Sequence, residues 1–245
     1  MLSTAPEKLN VLSDGIGFVR LVDSMGSDLS VVRAARVSYN TSWRAGENEG
    51  SDKRLINYLW KNQHTSPFEA VQFTFEVKAP IFVFRQWHRH RTWSYNEVSA
   101  RYTELPEEFY VPHPTKVGVQ SKSDKQQRVI DNVASHDDVM AHCDITNACE
   151  HAFTVYRKLL ERGVPRELAR SVLPVATYSH MFASVNLLNL LKFLNLRCHE
   201  HAQFEIRVYG EALRELSKQV APACIETWDK HRGSSWLDKQ QKLTE

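Results

Sequence analysis

The sequence predicts an α+β fold, in which a helix-rich single domain carries a small antiparallel or mixed sheet. Several segments have helical periodicity, one segment alternates like a strand, and there is no βαβ alternation along the chain. With 245 residues and 42% hydrophobic content, the chain is long enough for one substantial core. We therefore predict one domain over residues 1–232, followed by a flexible tail over residues 233–245.

The first half of the chain contains two predicted helices and one predicted strand. Residues 28–39 begin with a favourable N-cap and place apolar side chains at helical spacing, and a second helix covers residues 51–62. Residues 71–79 alternate apolar and polar side chains, which is the period of a half-buried strand. Pro80 is expected to end that strand, and the short apolar run 81–84 follows it.

The second half is predicted to be mainly helical after a polar interruption. Residues 113–140 are rich in Lys, Gln, Ser and Asp, so we interpret them as a variable loop or insertion with no chemical role. An amphipathic helix then ends near Gly163, and Pro165 suits the first turn of a short helix. Two further helices are predicted over residues 182–197 and 199–218.

Charge and cysteine spacing limit the class of protein. The net charge is only +2, so a nucleic acid is not an expected partner of the whole surface. The N-terminus lacks a secretory pattern and no long apolar run occurs, so we expect a cytoplasmic protein with no membrane partner. The cysteines match no zinc or redox motif and are expected to be reduced, small buried side chains: Cys143, Cys149, Cys198 and Cys224.

Residues 85–101 are far more cationic than the rest of the chain. They contain four arginines and two histidines against one acid, Glu97. Arginine presents a fixed fork of donors that matches phosphate, and Ser94, Asn96 and Ser99 add short neutral donors. Trp87 and other aromatic residues are interleaved with these arginines, which is not typical of a plain solvated stretch. The segment therefore predicts an anion-binding site.

The same segment carries a family resemblance. Arg89, His90 and Arg91, followed after seven residues by Ser99, resemble the R-H-R-x7-S signature of the flavin-dependent thymidylate synthases (ThyX). Further blocks resemble the family in order along the chain, among them DLSVVRAARVSYN, HTSPFEAVQFTFEVKAPIFVFRQWHRHR, GVPRELARSVLP and NLLKFLNLRCHEHAQFEIR. The resemblance implies a ThyX-like fold and covers most of the chain except residues 113–140 and the tail.

The resemblance also implies which residues bind ligands. The residues implied at the FAD site are His64, Ser66, Arg89, His90, Arg91, Glu97, Asn186 and Lys192. The residues implied at the dUMP site are Gln86, Arg89, Glu97, Ser99, Ala100, Arg101, Arg170 and Arg197. Within these sets, Arg170 reaches the phosphate from a neighbouring subunit, and Arg197 is the catalytic residue that favours ionisation of the uracil ring at N3. Leu188 and Lys192 depart from residues that some family members have at these positions.

By the same resemblance, the chain would methylate dUMP to dTMP without an enzyme nucleophile. FAD would be reduced by a nicotinamide, NADPH, and 5,10-methylenetetrahydrofolate would provide the one-carbon unit. A homotetramer with active sites at subunit junctions is implied. One feature of the residues agrees with a ligand cavity: if residues 182–197 are helical, Asn186, Asn189 and Arg197 share a polar stripe in a leucine-rich helix.

Two other classes of protein fit parts of the pattern. A nucleic-acid-binding module would also interleave basic and aromatic residues, although the low net charge disfavours it. A metal-dependent hydrolase is suggested by His88, His90 and the run His199-Glu200-His201. Residues two apart point to different faces of a helix, and the H-E-x-x-H pattern is absent, so we expect no metal.

Overall fold

The protein, described by a computed structural model over residues 8–125, 127–131 and 133–232, is built on a five-stranded sheet. The strands are β1 (Lys8–Asn10), β2 (Phe18–Met25), β3 (Gln72–Pro80), β4 (Ser94–Glu97), β5 (Val119–Gln120), β6 (Arg128–Val129) and β7 (Tyr178–Asn186). The sheet order is β1-β2-β3-β7-β4, with every neighbouring pair antiparallel, and β5 and β6 form a separate antiparallel hairpin. The predicted α+β class is confirmed, and the sheet is antiparallel rather than mixed.

Eight α-helices surround this sheet in the described part of the chain. They are α1 (Asp28–Arg36), α2 (Glu49–Lys61), α3 (Ile81–Trp87), α4 (His136–Glu161), α5 (Arg166–Ala169), α6 (Leu187–Arg197), α7 (Phe204–Lys218) and α8 (Pro222–Lys230). Short 3-10 turns at Val37–Tyr39 and Arg170–Val172 extend α1 and α5. None of these helices is long and apolar enough to cross a membrane.

Alternating burial along β3 explains why this strand was predictable. Phe73, Phe75, Val77 and Ala79 are all buried, while the residues between them are only half-buried. The buried face packs in one large core with α6 and α7, and hydrophobic burial is the main contribution to the stability of such a layer. The predicted helices over residues 28–39 and 51–62 correspond to α1 and α2.

The predicted helix over residues 182–197 is wrong in its first five residues. Residues 182–186 belong to β7, which pairs with β3 on one side and β4 on the other. Met181, Ala183 and Val185 are buried and alternate with more exposed residues, so the period is that of a strand. The helical pattern of α6 begins only at Leu187.

Two other predicted boundaries differ from the structure. Residues 199–203 form a turn rather than the start of a helix, because Gln203 has an extended backbone (φ −53°, ψ 136°) and α7 begins after it. Within residues 113–140, the hairpin β5–β6 forms, and α4 begins at His136 with a capping box between Ser135 and Asp138. The predicted tail, residues 233–245, lies outside the described residues.

Candidate active site

The cationic segment packs against a cluster of buried and half-buried aromatic side chains, the aromatic cluster, formed by Trp87, Trp93, Tyr95 and Phe193. Trp87 is completely buried at the end of α3, with ring centroids 5.7 Å from Trp93 and 4.9 Å from Phe193. The hydroxyl of Tyr95 donates a hydrogen bond to the main-chain carbonyl of His90 at 2.8 Å. The turn containing the R-H-R signature therefore packs against both α6 and β4. The contact with Phe193 was not predictable, because no local pattern links the two segments.

The structure brings three implied site residues into direct contact. Arg197 Nε donates to His90 Nε2 at 3.0 Å, and Arg197 Nη2 donates to the main-chain carbonyl of Gln86 at 3.0 Å. Burial, followed by the charge of Arg197, lowers the pKa of His90 to about 4, so the imidazole is neutral and accepts this bond. Arg197 is half-buried with neutral partners and has no ion pair with a carboxylate among the described residues.

The free energy of unfolding is expected to fall as the pH is lowered from about 6.5 to about 4. His90 has a folded-state pKa near 4 against a usual value of 6.5, so the unfolded chain binds more protons in this window. Urea unfolding of the flavin-free protein at several pH values measures the loss. His90→Gln retains an acceptor for Arg197 but does not titrate, and it should lose less stability; an equal loss in both proteins would contradict this assignment.

Two arginines of the signature are exposed to solvent instead of packing in the aromatic cluster. Arg89 and Arg91 are exposed, as is Lys192 on α6, and none of the three pairs with a carboxylate in the part of the chain that the structure describes. Unpaired guanidinium and ammonium groups are the donors that a diphosphate requires. These residues therefore fit the diphosphate of a flavin dinucleotide. Leu188 is buried and contributes to the core instead.

Asn186 caps the start of α6, while Ser66 and His64 belong to the segment that leads into β3. The 3-10 turn Ser66–Ala70 packs against α6, and Ser66 and His64 are exposed. The predicted polar stripe is wrong for Asn186, because this residue is the N-cap of α6 and its Oδ1 accepts from the amide of Asn189 at 2.9 Å. Asn186 precedes the helix, so its side chain is used at the helix end and not on a helical face.

A third group of implied residues lies at the end of β4 and in the turn that follows it. Glu97 accepts a hydrogen bond from the Ser179 hydroxyl at 2.5 Å, and Ser99 Oγ accepts from the amide of Arg101 at 3.3 Å. Ala100, in the same turn, is buried. The side chain of Arg101 pairs with Glu167 on α5 at 3.4 Å.

Arg170 is exposed and directly follows α5. Its Nε donates to the main-chain carbonyl of Glu167 at 3.4 Å, so Arg101 and Arg170 both contact Glu167 within one chain. Glu167 and Ser179 were missed by sequence reasoning, because only the placement of α5 and the pairing of β4 with β7 bring them to these residues.

The cysteines, and the histidines of the turn after α6, differ in their burial and surroundings. Burial raises the pKa of Cys198 to about 12, so its thiol is not a reactive thiolate. Cys149 and Cys224 are buried as predicted, whereas Cys143 is exposed. His199 and His201 lie in a turn with rings stacked at 4.9 Å. Among the described residues, no group of three or more potential ligands is arranged to hold a metal ion.

The described residues form an α+β protein whose candidate site exposes arginines with no carboxylate partner among them. A family model described as thymidylate synthase complementing protein matches residues 20–223. The flavin-dependent thymidylate synthase of Thermosipho melanesiensis is 45% identical over 212 residues, covering 86% of this chain and 90% of the relative. That of Thermotoga neapolitana is 44% identical over 215 residues, covering 88% of this chain and 92% of the relative.

A solved structure agrees with these relatives. The UMP/dUMP methylase PolB from Streptomyces cacaoi, bound with 5-Br dUMP, has a TM-score of 0.79 and 41% identity, covering 86% of this chain and 94% of that one. The chain therefore belongs to the thymidylate synthase complementing protein family, which includes the flavin-dependent thymidylate synthases. The resemblance in the sequence is confirmed, and the protein is a flavin-dependent enzyme.

Proposed function

We propose that this protein converts dUMP to dTMP by reductive methylation and releases tetrahydrofolate. The observation that carries the proposal is the half-buried, positively charged Arg197, held by neutral partners beside His90. A uracil ring that reacts at C5 accumulates negative charge, and a fixed cation in a partly desolvated site stabilises such charge. Arg197 would thus act as the catalytic residue without taking part in a covalent step.

The flavin-binding role is assigned to the exposed donors around this pair. Arg89, Arg91 and Lys192 would bind the diphosphate of FAD, and Ser66 and Asn186 would contact the flavin. FAD, when bound and reduced by NADPH, would supply the hydride, and 5,10-methylenetetrahydrofolate would supply the methylene carbon, with His64 assigned to the flavin and folate sites. The chain's own contribution is to hold these groups in line and exclude water.

Replacing Arg89 with alanine is expected to weaken FAD binding by about tenfold or more, because a charge-assisted bond to phosphate is lost. Fluorescence quenching during titration of the flavin-free protein with FAD measures the dissociation constant. Arg85→Ala is the matched control, since Arg85 is also exposed, lies in the same segment and falls outside the signature. Equal weakening in both variants would contradict a specific role for Arg89.

The nucleotide-binding role is assigned to residues at the end of β4 and in the turn after it, together with Gln86 on α3 and Arg170 after α5. Arg101 and Ser99 would bind the phosphate of dUMP, Arg170 would reach the same phosphate from a neighbouring subunit, and Glu97 and Gln86 would contact the rest of the nucleotide. Both guanidinium groups contact Glu167 in the structure. A phosphate offers Arg101 a stronger bidentate partner than this solvent-exposed carboxylate does.

The family resemblance implies a homotetramer with active sites at subunit junctions, and exposed apolar residues near Arg101 and Arg170 support an interaction surface there. Tyr102 is 79% exposed, Leu168 61% and Val175 60%, and each lies close in sequence to one of these arginines. Exposed apolar groups beside a polar site are typical of an interaction surface. We expect light scattering after gel filtration to give the mass of four chains, and a monomer would contradict this part of the proposal. The expected location is the cytoplasm.

The reaction is tested by incubating the FAD-loaded protein with dUMP, 5,10-methylenetetrahydrofolate and NADPH. The expected result is a nucleotide with the retention time and mass of dTMP, which requires all three compounds. Replacing NADPH with NADH compares the two reductants. A protein that binds dUMP and FAD but forms no dTMP with either reductant would contradict the proposed reaction.

A further inference from the structure

Glu205 on α7 is a buried carboxylate that none of the roles above uses. It is only 1% exposed and accepts hydrogen bonds from Arg128 at 2.6 Å, Tyr110 at 3.2 Å and Gln203 at 2.8 Å. Burial and then the nearby Glu205 raise the pKa of Tyr110. A buried carboxylate needs such partners, because an unpaired one is costly in a medium of low dielectric constant.

The same carboxylate is connected to the candidate active site. Gln203 accepts a hydrogen bond from the side-chain amide of Gln86 through its Oε1. The main-chain carbonyl of Gln86 in turn accepts from Arg197 at 3.0 Å. A continuous series of hydrogen bonds therefore runs from Arg128 on β6, through Glu205 and Gln203, to the residue that holds Arg197.

The hairpin β5–β6 is attached at this place by more than one contact. Arg128 reaches Glu205, Gln127 bonds to the imidazole of His201, and Asp124 lies 3.7 Å from the same ring. His201 and Gln203 belong to the turn between α6 and α7. The segment that we interpreted as a loop without a chemical role is thus packed against the turn that follows Arg197.

Glu205 also determines the direction of the two amides. A carboxylate only accepts hydrogen bonds, so Gln203 must direct its NH2 group to Glu205 and its Oε1 to Gln86. Gln86 must then direct its own NH2 group to Gln203, so its Oε1, for which the described residues offer no donor, can accept a hydrogen bond from a ligand. We propose that Glu205 is a positioning residue that fixes this orientation of Gln86 for a donor group of the nucleotide, with Arg128 balancing its charge. This inference rests on the proposed function.

Two substitutions break the series at different places. Glu205→Gln keeps the shape but adds a donor, so the direction of the amides is no longer fixed. Gln203→Leu interrupts the series while leaving the Arg128–Glu205 ion pair intact, and it keeps the test valid if the first variant fails to fold. Arg214→Met is the control, because Arg214 is also on α7 and its substitution breaks a different ion pair of that helix, with Asp229, outside the series.

The measurements are the dissociation constant for dUMP, by calorimetry on the FAD-loaded protein, and the KM for dUMP and kcat for dTMP formation. Both variants are expected to bind dUMP about tenfold more weakly and to show a matching rise in KM, with kcat changed less than threefold. Arg214→Met should bind dUMP as the wild type does. Unchanged binding in either folded variant, or equal weakening in the control, would overturn the role of Glu205.

The wild-type protein separates this inference from the proposed function. If the wild type binds dUMP and forms dTMP while the variants bind equally well, only the role of Glu205 fails. If the FAD-loaded wild type neither binds dUMP nor forms dTMP, the proposed function fails, and the inference that rests on it fails as well.

Discussion

Replacing Arg197 with alanine is expected to lower kcat for dTMP formation by about 100-fold or more while FAD remains bound. Removing one fixed donor that stabilises developing charge has an effect of this size in other enzymes. Arg197 can stabilise developing negative charge because its partners are the neutral His90 and a main-chain carbonyl. Its own charge is therefore not neutralised within the described part of the chain. Steady-state turnover and the flavin content of the purified variant measure the two quantities.

The control for this variant is Arg214→Ala. Arg214 forms an ion pair with Asp229 on α8 and has no contact with the His90–Arg197 pair. We expect it to lose some stability and to keep wild-type kcat. Turnover of Arg197→Ala within a fewfold of the wild type would remove Arg197 from the catalytic role.

Replacing Arg170 with alanine is expected to raise the KM for dUMP by about 10- to 100-fold, because a charge-assisted bond to phosphate is lost. The residue is exposed and its Nε contacts only the carbonyl of Glu167 among the bonds described, so most of its donors are free for a ligand. Deoxyuridine, which lacks the phosphate, should inhibit the variant and the wild type at similar concentrations.

Arg166→Ala is the matched control for Arg170. Arg166 lies on α5, is 48% exposed and faces Glu104 at 3.8 Å. A rise in the KM for dUMP of the same size in both variants would indicate a general disturbance of α5. So would inhibition of Arg170→Ala by deoxyuridine that is weakened as much as the binding of dUMP, because deoxyuridine has no phosphate to lose.

Most of the helices and one strand were predictable from local patterns. The strand β3 alternates regularly, and α1 and α2 have clear amphipathic spacing. β7 was not recognised, because its second half runs directly into the leucine-rich α6 and its apolar residues blend with the helical pattern. The pairing of β7 with both β3 and β4 is a long-range contact that no local pattern contains.

The candidate site was predictable as a set of residues but not as an arrangement. The R-H-R segment was recognised by its arginines and aromatic residues, and the family resemblance supplied Arg197. The contacts of Arg197 with His90 and Gln86 join residues more than 100 positions apart. Glu205 lies in one of the family blocks but was given no role, because its hydrogen bonds to Arg128 and Gln203 became visible only when α7 and the hairpin were placed together.

A single-turnover experiment with prereduced enzyme tests whether this chain methylates dUMP with a hydride from its flavin. The FAD-loaded protein is photoreduced without oxygen, so the result does not depend on which nicotinamide it uses, and is then mixed with dUMP and 5,10-methylenetetrahydrofolate. We expect the oxidised flavin spectrum to return and one dTMP to form for each flavin oxidised. No return of the spectrum, or a return without dTMP, would contradict a flavin-dependent methylation of dUMP by this chain.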